Sequence, residues 1–156
     1  MNNNLKKFFK ENLEKNGFKH SKKRNTWFKI NNKNTFFIIY LQKSNTSNKF
    51  YFNIGISYLD LKQLSYFNVK NPNWDETNTS SRAEMYIEDY TSPLKQLMLG
   101  GVYNDSQIKS QKKVYDYIIG FFNENDTKEK FKKNYEKYYL LDNVEIEIPL
   151  KEYCEN

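Results

Sequence analysis

The side chains able to do covalent or metal chemistry are few. His20 and Cys154 are the only histidine and cysteine in 156 residues. Structural and catalytic zinc sites draw on several such ligands, so this pair does not make one. A Cys–His nucleophile needs both groups held at hydrogen-bond distance, and Cys154 stands beside a C-terminal end expected to fray. Asp60-Leu61-Lys62 follows a strand-like run and has the form of half a metal-dependent nuclease site, in which carboxylates hold Mg²⁺ and a lysine steadies developing charge. The other half is missing: no Asp precedes Asp60, and the earlier acids Glu11 and Glu14 fall on a helix, so a surface turn is the expectation. Glu84, Glu88, Asp89, Glu145 and Glu147 could supply paired carboxylates for proton transfer. Glu145 and Glu147, however, share one face of an alternating strand, where they would meet solvent and blunt a sheet edge. Gly100-Gly101 lacks the Lys-Ser/Thr spacing of a phosphate cradle. His20 has no evident carboxylate to orient it as the base of a serine hydrolase. No catalytic set, metal or cofactor is expected.

Binding chemistry is better represented. Lys19-His20-Ser21-Lys22-Lys23-Arg24 is a basic run too polar to bury, a loop or an exposed edge. Its neighbours Trp27, Tyr40, Tyr51 and Tyr58 could stack bases while Lys19, Lys22, Lys23 and Arg24 hold phosphates, which gives single-stranded nucleic-acid binding as one reading. Against it, strand aromatics more often fill cores, and no RNP-like or helix-turn-helix pattern is present. Tyr66, Phe67 and Trp74 lie in a long polar segment and are candidate anchors for a protein partner, since Trp and Tyr dominate interface energetics. Gln42, Ser44 and Asn53 flank a loop between two strands and are where a small ligand on the sheet would be held, or where register is fixed.

The elements that position these groups follow from periodicity. Leu5, Phe8, Phe9 and Leu13 share a helical face, and Gly17 is a C-cap, so a helix spans about residues 3 to 15. Strands follow at 26–30 and 35–42, joined by an Asn-rich turn, the second apolar enough to be covered on both faces. Residues 50–59 alternate strictly: Phe50, Phe52, Ile54, Ile56 and Tyr58 point one way, and Tyr51, Asn53, Gly55 and Ser57 the other. Residues 60–81 read as a long loop, and residues 82–87 as a fourth strand. Ser92-Pro93 opens a short helix ended by Gly100-Gly101. A longer helix begins at Asp105 or Ser106 with Ile108, Val114, Tyr117, Ile118, Phe121 and Phe122 inward. Asp126-Thr127-Lys128-Glu129 caps another with Phe131, Tyr135, Tyr138 and Tyr139. Residues 144–148 close the chain as a half-exposed strand stopped by Pro149. This order predicts an α+β fold, a mainly antiparallel sheet packed against an N-terminal helix and C-terminal helices, in one domain over 1–156.

Charge is unevenly spread. The formal net charge is +6 and the isoelectric point about 9.1. Residues 1–33 hold ten Lys or Arg against two Glu, a balance of +8, while residues 140–156 hold five acids against Lys151, a balance of −4. A basic surface admits an acidic partner, though two solvated faces of opposite sign would look the same. The N-terminus has no apolar signal region, no run approaches membrane-spanning length, and a single cysteine suits a reducing compartment. A cytoplasmic protein without membrane contact is expected.

Residues 11 to 56 hold the most distinctive order of motifs. Leu13-Glu14-Lys15-Asn16-Gly17-Phe18-Lys19 leads to Trp27-Phe28-Lys29, then Leu41-Gln42-Lys43-Ser44 and Phe50-Tyr51-Phe52-Asn53-Ile54-Gly55. In these the chain resembles the bacterial DUF4304 domain family, in which a helix ending in a Gly-Phe-Lys turn leads into such strands. The resemblance implies the same α+β layout and no established activity. It leaves a non-enzymatic protein-binding module as the leading expectation, with an immunity (antidote) protein of a bacterial toxin system as its specific form.

Overall fold

The computed structural model describes residues 3–23, 25–31, 34–43, 45, 49–61, 77–86, 107–139 and 144–156. Helix α1 (Asn3–Lys15) ends where Gly17 takes φ 83°, a left-handed conformation open to glycine without a Cβ clash. Strands β1 (Lys19–Ser21), β2 (Thr26–Asn31), β3 (Thr35–Lys43), β4 (Lys49–Tyr58) and β5 (Thr79–Tyr86) follow in order. Helices α2 (Gln107–Glu124) and α3 (Lys128–Tyr139), strand β6 (Val144–Ile146) and helix α4 (Ile148–Glu155) complete the described chain. The six strands form one antiparallel sheet in sequence order, β1-β2-β3-β4-β5-β6. The architecture is α+β, as the element order predicts.

One face of the sheet receives the helices. Trp27, Phe37, Ile39, Leu41, Phe52, Ile54, Ile56 and Tyr58 stand on it, and Phe9 and Leu13 of α1, Ile118, Phe121 and Phe122 of α2, and Phe131 and Tyr138 of α3 cover it. Aromatic rings do much of the filling: Phe37 stacks on Phe122 at 4.5 Å, and Phe9 lies 4.7 Å from Phe52. Such ring pairs add about 0.5–1.5 kcal/mol each beyond their area burial.

The turn between α2 and α3 is tied to the ends of β3 and β4. Tyr58 Oη donates to the Asn125 carbonyl at 2.7 Å, and Thr35 Oγ1 to that of Asp126 at 2.7 Å. Asn125, itself buried, donates to Tyr138 Oη at 2.9 Å and to the Phe121 carbonyl at 2.8 Å. Burial pushes the Tyr58 phenol far above its ordinary range, so it remains a hydrogen-bond donor. Thr127 accepts the Lys130 N–H at 3.2 Å, the N-cap its position predicts.

The second face of the sheet is also closed at its centre. Phe36, Ile38, Asn53 and Ser57 are each 0% exposed, which agrees with a third strand covered on both sides. Gly55 is required here by close approach. A Cβ on it would stand 2.7 Å from Thr77 Cγ2 and 2.9 Å from Thr77 Cβ. Next to it, Asn78 Oδ1 accepts the Tyr58 N–H at 2.7 Å, so Thr77 and Asn78 are pinned to β4 just before the next strand begins.

Several expectations need correction. Lys19–Ser21 is the exposed-edge alternative, a real strand paired to β2. Strand β5 starts at Thr79, so Thr79, Ser80 and Ser81 leave the long loop for the ladder, pairing with Ile56, Gly55 and Ile54. Tyr117 is 45% exposed, while Tyr115 turns inward against Phe8 and Phe9. Strand β6 ends at Ile146, and Pro149 serves as the first-turn proline of α4. Cys154 is therefore a buried residue of a helix docked on the core and does not sit on a frayed end. The short helix expected at 93–100, the loop positions 62–76, and Ser92, Glu88 and Asp89 lie outside the described residues.

Two outcomes follow from this packing. Gly55→Ala should lower stability by about 1–3 kcal/mol through overpacking, and Thr77→Ala should recover part of that loss in the double variant, measured by urea denaturation. The Cys154 thiol is pushed up to about 11 by burial. Its thiolate fraction at pH 8 should be about 100-fold below that of the unfolded chain, read as slow iodoacetamide alkylation that becomes fast in urea.

Candidate functional site

The residues singled out by type sort into three places. Gln42 and Asn53 do come together on the second face, where β3 and β4 run side by side with Gln42 opposite Tyr51 and Tyr40 opposite Asn53. Asn53 Nδ2 stands 3.4 Å from Gln42 Oε1. Asn53 is wholly buried and Gln42 half-buried, so any ligand reaching this pair meets Gln42, Tyr40 and Tyr51 first. Two hydroxyls that sequence reasoning missed belong to the same face. Thr26 Oγ1 and Ser57 Oγ are buried without a hydrogen-bond partner among the described residues. Each such orphan costs about 1–3 kcal/mol, and the ladder sets Thr26 opposite Tyr40 and Ser57 opposite Phe36. Period-two alternation from Asn53 through Gly55 to Ser57 was the available signal for Ser57. Ser44 lies outside the described residues, as do Tyr66, Phe67 and Trp74.

Of the carboxylate candidates, Glu88, Asp89 and the Glu84 side chain lie outside what is described, and the others stand apart. Asp60 is ion-paired with Lys128, whose ammonium is held above its ordinary range chiefly by that hydrogen bond. The same ammonium lies 5.0 Å from the Tyr153 ring. Asp60 thus ties the end of β4 to the start of α3, while Lys62 lies outside the described residues. Glu145 is an exposed strand residue and Glu147 the residue before α4, its N–H donating to the Asn78 carbonyl at 2.8 Å. Among the described residues no group of three or more His, Cys, Asp or Glu side chains is placed to hold a metal ion.

The basic run forms the third place, and it is the one most clearly presented. Lys19 and His20 are exposed on edge strand β1, and Lys22 and Lys23 are exposed in the turn that follows. That turn is fixed. Asn25 adopts φ 49°, which Asn tolerates better than most residues, and its side-chain amide donates to the Leu41 carbonyl at 3.1 Å. Asn25 Oδ1 also stands 3.4 Å from His20 Nε2. The His20 ring lies over its cross-strand partner Trp27, centroids 4.5 Å apart and planes 30° apart. Lys29 sits 5.8 Å over the Phe18 ring at the foot of β1. Arg24 lies outside the described residues.

Ion pairs neutralise part of the surface elsewhere. Lys7, Lys112, Lys130 and Lys151 each meet an acid four residues away, and Lys128 and Lys137 meet Asp60 and Glu124. Among the described residues no carboxylate pairs with Lys19, Lys22 or Lys23. The aromatic platform imagined beside them is smaller than its sequence suggests. Trp27 and Tyr58 belong to the helix-side core, leaving Tyr40 and Tyr51 half-buried on the other face.

No helix among the described residues is long and apolar enough to cross a membrane. No curated protein and no solved structure matches the chain. The family model described as a domain of unknown function, DUF4304, matches residues 9–141, a span running from α1 through α3 and including every strand but β6. The described motif residues between Leu13 and Gly55 fall on the helix-to-β1 turn and on β2, β3 and β4, in the N-terminal part of that match. The chain is a member of the DUF4304 family.

Proposed function

We propose that this protein acts by binding a protein partner whose contact surface is acidic. The observation that supports it is the basic edge itself: Lys19, Lys22 and Lys23 are exposed together on a strand and the turn that follows, without acidic partners among the described residues. Unpaired surface cations raise the on-rate for an oppositely charged protein and disfavour partners of like charge. The side chains that could have done chemistry are occupied differently: Asp60 holds Lys128, Cys154 is buried with a raised pKa, and His20 is stacked on Trp27. The specific form of this reading is an immunity protein that masks an acidic surface of a bacterial toxin, acting in the cytoplasm.

Single-stranded nucleic acid is the second reading, favoured by the same lysines. The burial of Trp27 and Tyr58 weakens it, because base stacking supplies about 1–3 kcal/mol per base in such complexes. The two readings separate in one comparison of the wild type with the triple variant Lys19→Glu, Lys22→Glu, Lys23→Glu. Pull-down from the source cell should retain a protein with an acidic surface on the wild type and lose it on the variant, with an oligo-dT probe bound weakly by both. Tight oligo-dT binding that falls steeply with salt and vanishes in the variant, with no protein retained, establishes the second reading instead.

A further inference from the structure

We infer that His20 is a proton-controlled element of the basic edge, so that this margin holds an acidic partner more tightly as pH falls through the imidazole range; this rests on the reading of an acidic protein partner given above. His20 is the only histidine in the chain, and imidazole is the one side chain that ordinarily changes charge between about pH 5 and 8. It stands inside the run that carries the charge. Lys19 precedes it on β1, Lys22 and Lys23 follow in the turn, and His20 is exposed as they are. A proton on the ring therefore adds a unit of positive charge among the three lysines. An acidic surface laid against the edge meets that charge directly.

The ring is held in a way that accepts either state. Asn25 gives its side-chain NH₂ to the Leu41 carbonyl at 3.1 Å, which turns its Oδ1 toward the imidazole, 3.4 Å from Nε2. An amide oxygen only accepts, so Nε2 carries the proton of the neutral ring and Nδ1 is the atom that takes the second one. The Asn25 contact thus survives protonation. The other contact favours it: the Trp27 ring lies 4.5 Å away between centroids with planes 30° apart, and an indole face attracts a cation. Lys19, Lys22 and Lys23 oppose the charge, acting through water over distances comparable to the Debye length. Lys29, two residues beyond Trp27 on β2, is turned over the Phe18 ring. Among the described residues no carboxylate meets His20. An acidic partner cancels the repulsion from the lysines, so partner binding and proton uptake promote each other by the same factor.

The test uses the full chain and a rhodamine-labelled hexa-aspartate peptide, read by fluorescence anisotropy at low salt at about pH 8 and about pH 6, an interval in which aspartate carboxylates ordinarily stay ionised. The wild type should bind about three-fold more tightly at the lower pH, the effect of one added unit charge at a hydrated surface. His20→Gln should bind equally at both pH values. His20→Lys, which carries the charge permanently, should also bind equally at both, with the tighter affinity. The NMR signal of the single imidazole should titrate at higher pH with peptide bound than without it. A pH response that persists in His20→Gln, or an imidazole signal unmoved by peptide, overturns the switch. Equal wild-type binding at both pH values overturns it too, and the acidic-partner reading stands if the triple variant Lys19→Glu, Lys22→Glu, Lys23→Glu abolishes that binding. Absence of peptide binding at either pH overturns the switch, and the acidic-partner reading falls with it when pull-down from the source cell also retains no protein.

Discussion

The described structure depends on β4 being buried on both of its faces. Phe52, Ile54, Ile56 and Tyr58 fill one side against the helices, and Asn53, Gly55 and Ser57 are closed off on the other. The two sides solve different problems. Apolar side chains on the helix face need only fit; the opposite face must admit Thr77 against Gly55 and place the Asn78 amide where it can accept the Tyr58 N–H. Everything at the sheet's far end rests on that placement, since β5 begins at Thr79, and β6 is held by the Thr79 hydroxyl on the Glu145 carbonyl and by Glu147 on Asn78.

How much of this the chain announces depends on whether hydrophobicity tracks position. Alternation made β4 and its facing sets readable, and continuous apolar character marked β3 as covered twice. The start of β5 was hidden because Thr79 and Ser80 are buried polar residues, indistinguishable in type from the loop composition that precedes them. Tyrosine blurred the phase of α2: Tyr115 and Tyr117 are equally amphipathic, and contact with Phe8 and Phe9 decided which turned inward. Pro149 is ambiguous in principle, since the same ring that ends a strand also fits a first helical turn. Of the candidate site, the basic run was legible by charge alone. That Lys128 finds Asp60 across the fold while Lys19, Lys22 and Lys23 meet no acid among the described residues is a property of three-dimensional neighbours, and no one-dimensional pattern contains it.

The electrostatic layout of the molecule follows from where its acids are spent. On α1, α2 and α4, Glu11, Asp116 and Glu155 each answer a lysine four positions earlier, worth a few tenths of a kcal/mol and locally neutral. Asp60 is drawn to Lys128 and Glu124 toward Lys137. Glu145 lies on β6, at the opposite edge of the sheet from β1, and Glu152 and Glu155 lie on α4.

The arrangement of the last strand has a consequence for synthesis on the ribosome. Strands β1 to β4 are neighbours in sequence as well as in space, so they can pair as each emerges, closing short loops at small entropic cost. The outer side of β5 differs: its partner β6 begins at Val144, after α2 and α3 have been made. Until then the Thr79 hydroxyl and the Asn78 carbonyl lack the acceptor and donor that Glu145 and Glu147 later supply. A nascent chain therefore carries an open margin at β5 through the interval in which both long helices are translated, and the arrival of a three-residue strand closes it.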